Sequence, residues 1–486
     1  MKKRFIAAAL LVPALLSGCG RSFGSETGAL MPVPQDHRET PGRDWMLPGT
    51  AVPAAPAAAE WTTAYPRVTV QLFGGPETTA PPLGTLPPKQ PVKVLSVKNG
   101  ADGTPEWLQV SAGQSGEAWA EARHMAPNLA AFIARPVAGV DYGPIDNQKV
   151  YPRNPRVKVK GVYVTVNTAS SANLENLIRL AEETEINAFV IDVKDDYGRM
   201  LFPTKAATLF CPDANRGAPV KDIKALTARL KEKNIYLIAR VVAFKTPNYA
   251  LLYPERAVTD TVSGQVYESS DGLHWASAYD RQLWRYNVEV AKEAAEAGFN
   301  EIQFDYVRFP DVKPSVEARL DYKNQWQESK TLAVYRFLRF AREQLEPYGV
   351  YLAADTFGWT ASSLGDENIG QHWESLSNVV DYNCPMMYPS HYGPGNFGLA
   401  VPDAHPYATI AGGIRDAKSR DANLETPAAL RPWLQDFTAK WVKGYIRYGP
   451  EEVRAQIRAL EENGIHEFLL WNAGNRYTRD ALMPEQ

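Results

Sequence analysis

One repeating unit governs what the C-terminal part of this chain can fold into. A charged amphipathic helix stops at Gly or Asn, and an apolar strand begins at once. Leu230-Lys231-Glu232-Lys233-Asn234 precedes Ile235-Tyr236-Leu237-Ile238-Ala239, and Ala294-Ala295-Glu296-Ala297-Gly298 precedes Glu301-Ile302-Gln303-Phe304. Tyr348-Gly349 stands before Val350-Tyr351-Leu352-Ala353, and Glu462-Asn463-Gly464 before Phe468-Leu469-Leu470-Trp471. Gly or Asn just past a helix accepts the left-handed conformation that closes it. Helices alternating with buried strands call for a parallel α/β sheet. Strands are expected at 161–166, 188–193, 235–243, 301–306, 350–355, 379–384, 432–436 and 467–471. Eight such units favour a closed (β/α)8 TIM barrel, expected over 156–484, rather than an open doubly wound sheet. No Gly-x-Gly-x-x-Gly turn follows the first strand to suggest a dinucleotide.

The N-terminal residues bear on the compartment. Lys2, Lys3 and Arg4 precede an apolar run from Phe5 to Leu16, too short for a permanent span and flanked like a signal peptide. Leu16-Ser17-Gly18-Cys19 resembles a bacterial lipobox, which implies removal of residues 1–18 and lipidation of Cys19. Two or more acyl chains anchor a protein stably. The expected location is the cell envelope, periplasmic or outer, with the lipid as membrane contact. Processing removes three cations and no acid, taking the formal charge from -3 to -6. Such a chain is a poor candidate for nucleic acid, which rewards basic patches. After Cys19 only Cys211 and Cys384 remain, too few for a disulfide scaffold or a cysteine metal site, and their pairing depends on a distance that sequence does not give.

Residues 19–61 read as a tether, because a stretch such as Ala51-Val52-Pro53-Ala54-Ala55-Pro56 builds no core. Short strand signals recur over 62–128: Val68-Thr69-Val70, Val92-Lys93-Val94-Leu95, Trp107-Leu108-Gln109-Val110 and Ala118-Trp119-Ala120. Gly74-Gly75-Pro76, Asn99-Gly100 and Asp102-Gly103 supply turns between them. With Gly84-Thr85-Leu86 between the first two strands, this order resembles a bacterial SH3-like domain. The resemblance implies an all-β fold that either contacts the cell wall or packs on the barrel. A linker is expected over 129–155.

Reactive groups in TIM barrels gather at the C-terminal ends of the strands. The second strand runs into Asp192-Val193-Lys194-Asp195-Asp196, the third carries Arg240, and the fourth runs into Asp305-Tyr306-Val307-Arg308. The fifth leads through Asp355 to Phe357 and Trp359, and the sixth to Tyr388 and His391. The seventh carries Trp433 and Asp436, and the eighth ends at Trp471. Alternation puts Asp192 with Lys194, and Gln303 with Asp305, on shared faces. If those faces line the lumen, the charges must pair. For Asp192 the plainer reading is a structural salt bridge with Lys194 or Arg240.

Cleaving a glycosidic bond takes two carboxyl groups, one to protonate the leaving oxygen and one to attack carbon or activate water. Asp305 and Asp355 end adjacent strands and are the expected pair. Arg240 or Arg308 would keep Asp305 ionised, and the less charged setting of Asp355 near Phe357 and Trp359 would raise its pKa. Asp195 and Asp436 compete for the acid's place. Asp192, Lys194, Asp195, Arg240, Arg308, Tyr388, His391 and Asp436 are candidate substrate contacts. Trp359, Trp433 and Trp471 are candidates for stacking on sugar rings or for packing. The histidines are scattered without ligand spacing, no His-Glu-x-x-His run, Gly-x-Ser-x-Gly elbow or phosphate loop occurs, and no metal or cofactor is expected.

A run of motifs ties these ends together. Gly161-Val162-Tyr163-Val164-Thr165 is followed by Phe189-Val190-Ile191-Asp192-Val193-Lys194-Asp195-Asp196-Tyr197-Gly198 and Ile238-Ala239-Arg240-Val241-Val242-Ala243-Phe244-Lys245. Gln303-Phe304-Asp305-Tyr306-Val307-Arg308-Phe309-Pro310, Asp355-Thr356-Phe357-Gly358 and Met387-Tyr388-Pro389-Ser390-His391-Tyr392 come next, then Arg431-Pro432-Trp433-Leu434-Gln435-Asp436-Phe437. Over 157–478 the ensemble resembles a bacterial domain of unknown function called the putative glycosyl hydrolase domain. The resemblance implies a barrel like those of α-amylase-type and α-galactosidase-type glycosidases. In those an Asp ending strand four is the nucleophile, which maps to Asp305. Their acid/base lies on strand five in one group, which Asp355 fits, and on strand six in the other, where this chain offers Asp381, Tyr388 and His391. Ala276-Ser277-Ala278-Tyr279 departs from the expected Val-Asn-Pro-Tyr.

These readings converge on a retaining glycoside hydrolase acting on an envelope or extracellular polysaccharide. The alternative is a non-catalytic polysaccharide- or wall-binding lipoprotein on a barrel scaffold. An open cleft with Asp305 facing a second carboxyl group marks the first, and an Asp305 buried against Arg with no cleft marks the second.

Overall fold

The computed structural model describes residues 61–483 apart from 112, 114, 115, 147 and 148. The expected signal peptide, the expected lipidation site Cys19 and the expected tether up to residue 60 lie outside the described residues. Seven strands come first: Thr63–Pro66, Val70–Phe73, Pro82–Leu86, Val92–Asn99, Pro105–Ser111, Glu117–Glu121 and Met125–Ala126, joined in one antiparallel sheet. Their alternation is that of a half-buried sheet, with Val92 and Val94 turned inward and Lys93 and Leu95 outward. Val70, Leu72, Leu86, Leu108 and Val110 form the centre of its core. This β-rich region agrees with the SH3-like resemblance, and it touches the residues C-terminal to it. Lys89 Nζ donates to Asn423 Oδ1 at 2.7 Å, and Lys89 and Arg67 lie over the Phe132 ring.

The barrel strands, here β1 to β8, are Lys160–Val164, Ala188–Lys194, Tyr236–Val242, Glu301–Asp305, Tyr351–Phe357, Tyr382–Met386, Trp433–Gln435 and Phe468–Trp471. Each pairs in parallel with the next, and β8 returns to β1 through Leu469 and Gly161 to close the ring. Helices such as Leu174–Glu183, Arg281–Glu296, Lys330–Leu345 and Pro450–Glu462 connect the strands. Asn234, Gly298, Gly349 and Gly464 take φ values of 58°, 105°, 65° and 75°. They close their helices as the sequence pattern predicts. The expected sixth strand starts late, because Val379 N still binds Leu376 O in the turn after Trp373–Ser377.

The lumen is filled in layers, as a TIM barrel requires. At the N-terminal end Arg431 and Glu301, both fully buried, pair at 2.6 Å. Val190, Ile238, Ala353, Cys384 and Leu469 fill the middle. Cys384 therefore lies in the lumen, Cys211 lies near Lys194, and both are free thiols that do not pair. Acids and Arg240 crowd the C-terminal ends of the strands.

Candidate active site

β3 delivers Arg240, which is 1% exposed, into the centre of the C-terminal layer. Its Nε and Nη2 donate to Asp305 Oδ2 at 2.9 and 2.6 Å, its Nη1 to Asp192 Oδ1 at 2.6 Å, and its Nη2 to Asp196 Oδ1 at 2.8 Å. One guanidinium thus serves three carboxyl groups from the ends of β2 and β4. It sits over the rings of Tyr163 and Trp471, which stack on each other at 4.0 Å. Tyr163 Oη also donates to Asp192 Oδ2 at 2.6 Å.

The three acids differ in setting. Burial pushes Asp192 up to about 7 even though Arg240 pulls the other way. Burial also opposes ionisation of Asp196, but the charges of Arg240 and Lys245 outweigh it and hold that group below its ordinary value. Asp305 ends β4 at 7% exposure, and its second oxygen accepts the Tyr306 backbone N–H at 2.6 Å. Tyr306 has φ of 48°, rare for a bulky residue and worth about 1–3 kcal/mol of strain. That bend turns the amide back onto the carboxylate. Lys245, buried, bonds Asp271 at 2.6 Å and the Tyr306 hydroxyl at 3.3 Å, and lies 4.4 Å from the centre of that ring.

β5 places Asp355 beside this cluster. Phe304 pairs with Ala354 in register, so the next residues, Asp305 and Asp355, stand side by side on strands about 4.8 Å apart. Asp355 has no cation against it. Its Oδ1 accepts Trp433 Nε1 at 2.6 Å and Gln303 Nε2, whereas its Oδ2 and Gln303 Oε1 are buried without a partner. Burial, then the neighbouring Asp305 charge, drive its pKa well above the usual carboxylate range, against the pull of the Trp433 and Gln303 hydrogen bonds. Two adjacent carboxyl groups are therefore held differently, one ion-paired and one whose ionisation burial and its neighbour oppose. Such a division suits a nucleophile beside an acid.

Other predicted residues are distributed unevenly. Trp433 joins the site through its N–H, and Trp471 lines the mouth, half-buried. Tyr388 is buried close enough to Asp355 and Asp305 for their charges to add to the upward push of burial on its phenol. His391 stands exposed on the rim, 5.1 Å from the Tyr388 ring. Arg308 is caged by Trp275, Tyr306 and Phe357 at 5.0, 5.1 and 4.5 Å.

Lys194 is displaced from its expected face. Arg240 pairs with Asp192 and Val241 with Lys194, so a bulge between them breaks the alternation. Lys194 therefore turns to the surrounding helix Arg281–Glu296, where Asn287 Oδ1 accepts at 2.6 Å and the Tyr286 ring lies 4.8 Å away. Burial there lowers its pKa to about 7. Asp195 folds its own loop, accepting the Tyr197 and Arg199 amides and pairing with the Arg199 side chain. Asp436 accepts the amide and hydroxyl of Thr478 and fastens the C-terminal segment. Trp359 packs against Tyr392 at 6.5 Å.

The site holds residues that strand ends alone did not single out. Gln303 and Tyr163 were readable, since each shares the lumen face of its strand. Lys245 and Asp271 meet only through loop folding. His274, His372 and His391 have separate partners, and no metal-type cluster of three occurs among the described residues. Two surface hollows of about 460 and 600 Å³ lie elsewhere, one beside Thr184 and Asn234 and one beside Pro254 and Gln265.

The family model described as a putative glycosyl hydrolase domain matches residues 161–477. A hypothetical protein from Ruminiclostridium thermocellum is 35% identical over 40% of this chain and 96% of its own, with a TM-score of 0.34. The PgaB (BpsB) glycoside hydrolase domain of Bordetella bronchiseptica is 15% identical over 68% of this chain and 100% of its own, with a TM-score of 0.47. An α-galactosidase of Thermus thermophilus is 11% identical over 79% of this chain and 70% of its own, at 0.40. No curated protein matches.

Proposed function

From the premise that this chain belongs to the putative glycosyl hydrolase domain family, we propose that it cleaves an envelope or extracellular polysaccharide with retention, using Asp305 as nucleophile and Asp355 as acid/base. The observation that carries this reading is the pair of unlike carboxyl groups on neighbouring strands. Parallel strands are spaced about 4.8 Å apart, which suits the carboxyl separation of about 5–5.5 Å in retaining enzymes. Asp355, neutral, gives its proton to the glycosidic oxygen as the C–O bond breaks. Asp305, anionic, forms a bond to the anomeric carbon. Asp355, now ionised, takes a proton from water, which attacks that carbon and releases Asp305. Arg240 holds the nucleophile's Oδ2, and the strained turn at Tyr306 holds its Oδ1, so neither oxygen has to be ordered during reaction. Trp471, half-buried, offers ring surface at the mouth.

The second reading, a non-catalytic glycan-binding lipoprotein, draws on the low exposure of Asp305 and its bonding to Arg240. It also draws on the position of both surface hollows away from the site. Under either reading the chain is lipid-anchored through Cys19 in the envelope, tested by fatty-acid labelling that Cys19→Ala abolishes. One assay separates the two readings. The protein is incubated with a panel of envelope and extracellular polysaccharides, and new reducing ends are counted beside Asp305→Asn. Release by the parent and loss in the variant support hydrolysis. The first-formed anomer, read by NMR, tests retention. Equal binding of one glycan by both proteins with no release from any establishes the second reading.

A further inference from the structure

The loop after β7 carries a feature that the catalytic reading does not use. From Phe437 to Pro450 the sequence holds Lys440, Lys443 and Arg447 and no Asp or Glu, in a chain whose net charge is -3. All three cations are exposed, and none has a side-chain partner among the described residues. Between them Trp441 and Tyr445 are 50% and 43% exposed. An exposed Trp and Tyr interleaved with unpaired cations would cost solubility without a ligand to meet.

The loop is held in place. Buried Asp403 accepts Gln435 Nε2 at 3.0 Å and the Ile446 amide at 3.3 Å, and its carbonyl accepts the Tyr448 hydroxyl at 3.0 Å. The strip is thus presented in one conformation before anything binds, which lowers the entropic cost of binding. It also leads to the mouth of the barrel. Trp441 stacks on Phe437 at 6.0 Å and 21°, Phe437 meets Tyr388 at 5.9 Å, and Tyr388 stands by Asp355 and Asp305.

A second observation comes from β4, three strands round the barrel. Asp196, Asp271 and Asp305 each have Arg240 or Lys245 as a partner. Arg308 has no carboxylate within salt-bridge reach among the described residues. Its Nη1 donates to Phe309 O at 2.9 Å, while Nε and Nη2 have no partner yet are reached by water. The side chain is only 9% exposed. A cation that is nearly buried, fixed by three rings and left with two free donors suits a planar anion.

We propose that the loop after β7, together with Arg308, binds a carboxylate-bearing polysaccharide. Its acid groups meet Lys440, Lys443, Arg447 and Arg308, and its sugar faces lie on Trp441 and Tyr445. The proposal rests on the hydrolase reading only for the direction in which the glycan runs. The same loop composition also suits an anionic membrane surface. The aromatic row running into the barrel mouth favours a glycan, because a flat bilayer has no use for it.

The test measures binding of the full chain to polygalacturonate, alginate and hyaluronan. Controls are methyl-esterified polygalacturonate, double-stranded DNA and phosphatidylglycerol vesicles, with reducing ends counted in parallel. At least one polyuronate is expected to bind. For polygalacturonate binding, esterification weakens it. The triple variant Lys440→Gln, Lys443→Gln, Arg447→Gln loses roughly tenfold in affinity, the loss expected of three exposed ion pairs. Its melting temperature stays that of the parent, and Arg308→Gln weakens binding further. Failure of all three polyuronates overturns the proposal. So does indifference to the triple change, DNA binding as tight as glycan binding, or capture by vesicles alone. Binding without new reducing ends keeps the strip and removes the hydrolase reading. Cleavage of neutral glycans with no preference for polyuronates does the reverse.

Discussion

Arg240→Met removes the only cation within salt-bridge reach of Asp305 and Asp192 among the described residues, and its cost follows from the groups that remain around them. Met fills much of the same space, so the packing of Tyr163 and Trp471 is largely kept. Asp196 retains Lys245 at 4.0 Å and is partly exposed, so it contributes least. Asp192 keeps the Tyr163 hydroxyl and has a pKa of about 7 with Arg240 present, so at pH 5 it is neutral with or without the cation, and at pH 8 losing the cation adds to the loss. The penalty therefore falls mainly on Asp305, left with one amide donor. Two routes are open to it. Remaining charged costs about 3–5 kcal/mol, the usual result of stranding one member of a buried pair. Becoming neutral costs about 1.36 kcal/mol for each pH unit above the unfolded value near 3.9, or about 1.5 kcal/mol at pH 5 and about 5.6 kcal/mol at pH 8. At pH 5 protonation is the cheaper route, and at pH 8 the penalty saturates at the buried-charge value. The sign is that of a carboxyl whose folded pKa is raised: stability present at low pH is lost as pH rises. Variant and parent are compared by urea unfolding at pH 5 and pH 8, with reversibility checked. The expected loss is about 1.5 kcal/mol at pH 5 and about 3–5 kcal/mol at pH 8. An equal loss at both values, or a larger loss at pH 5, would refute the assignment of Arg240 as the shared counter-charge.

Asp355→Asn keeps an acceptor for Trp433 and Gln303 and removes a carboxyl with a strongly raised pKa. Turnover of any cleaved glycan should vanish while stability relative to parent improves as pH rises from 5 to 8, both read on one preparation; a variant that loses stability as pH rises would count against a neutral Asp355. Trp433→Phe removes one hydrogen bond of about 1.5–3 kcal/mol to the ionised form, so the acid's pKa should climb by about 1–2 units. The alkaline limb of kcat/KM should move up with it, and a limb that stays put would free Asp355 from the acid's role. Lys194→Met should leave kcat and KM within twofold of the parent, since Lys194 faces a helix. Because burial lowers its pKa to about 7, the parent loses stability as pH falls from about 10 to 7. Relative to parent, the Met variant gains as pH falls through that window, and a flat comparison between pH 7 and 10 would contradict the buried amine.

The barrel was readable because its signals are local and repeated. Apolar runs of strand length, each preceded by a helix ending in Asn234, Gly298, Gly349 or Gly464, leave little choice of class, and every such residue takes positive φ. The boundary at Val379 was not readable, since an apolar pair is equally content in a turn packed under helices. The face of Lys194 was not readable either. Period-two alternation carries no mark of a bulge, and one inserted residue reverses every side chain beyond it. The partners of Asp195 and Asp436 are likewise a matter of how loops close. Sequence brought the acids to one end of the barrel, but only the folded loops divide them into those that face Arg240 and those that tie down loops.

That division turns on Gln303. Arg240 and Gln303 are register partners across β3 and β4, and Gln303 reaches on to Asp355 on β5. A neutral amide therefore stands between the guanidinium and Asp355, in the row where another cation would have been within reach of it. Asp305, one step further along β4, falls on the Arg240 side and receives both of its donors. The two carboxyl groups are unlike because the C-terminal layer of the lumen places Arg240 one strand closer to the first than to the second. Neutral N–H donors then hold Asp355 Oδ1 in position without a full counter-charge. Coulomb attraction at these separations in a buried site exceeds what a neutral donor supplies. A cation at position 303 would thus be expected to ionise Asp355 and erase the difference, whatever else it did to packing.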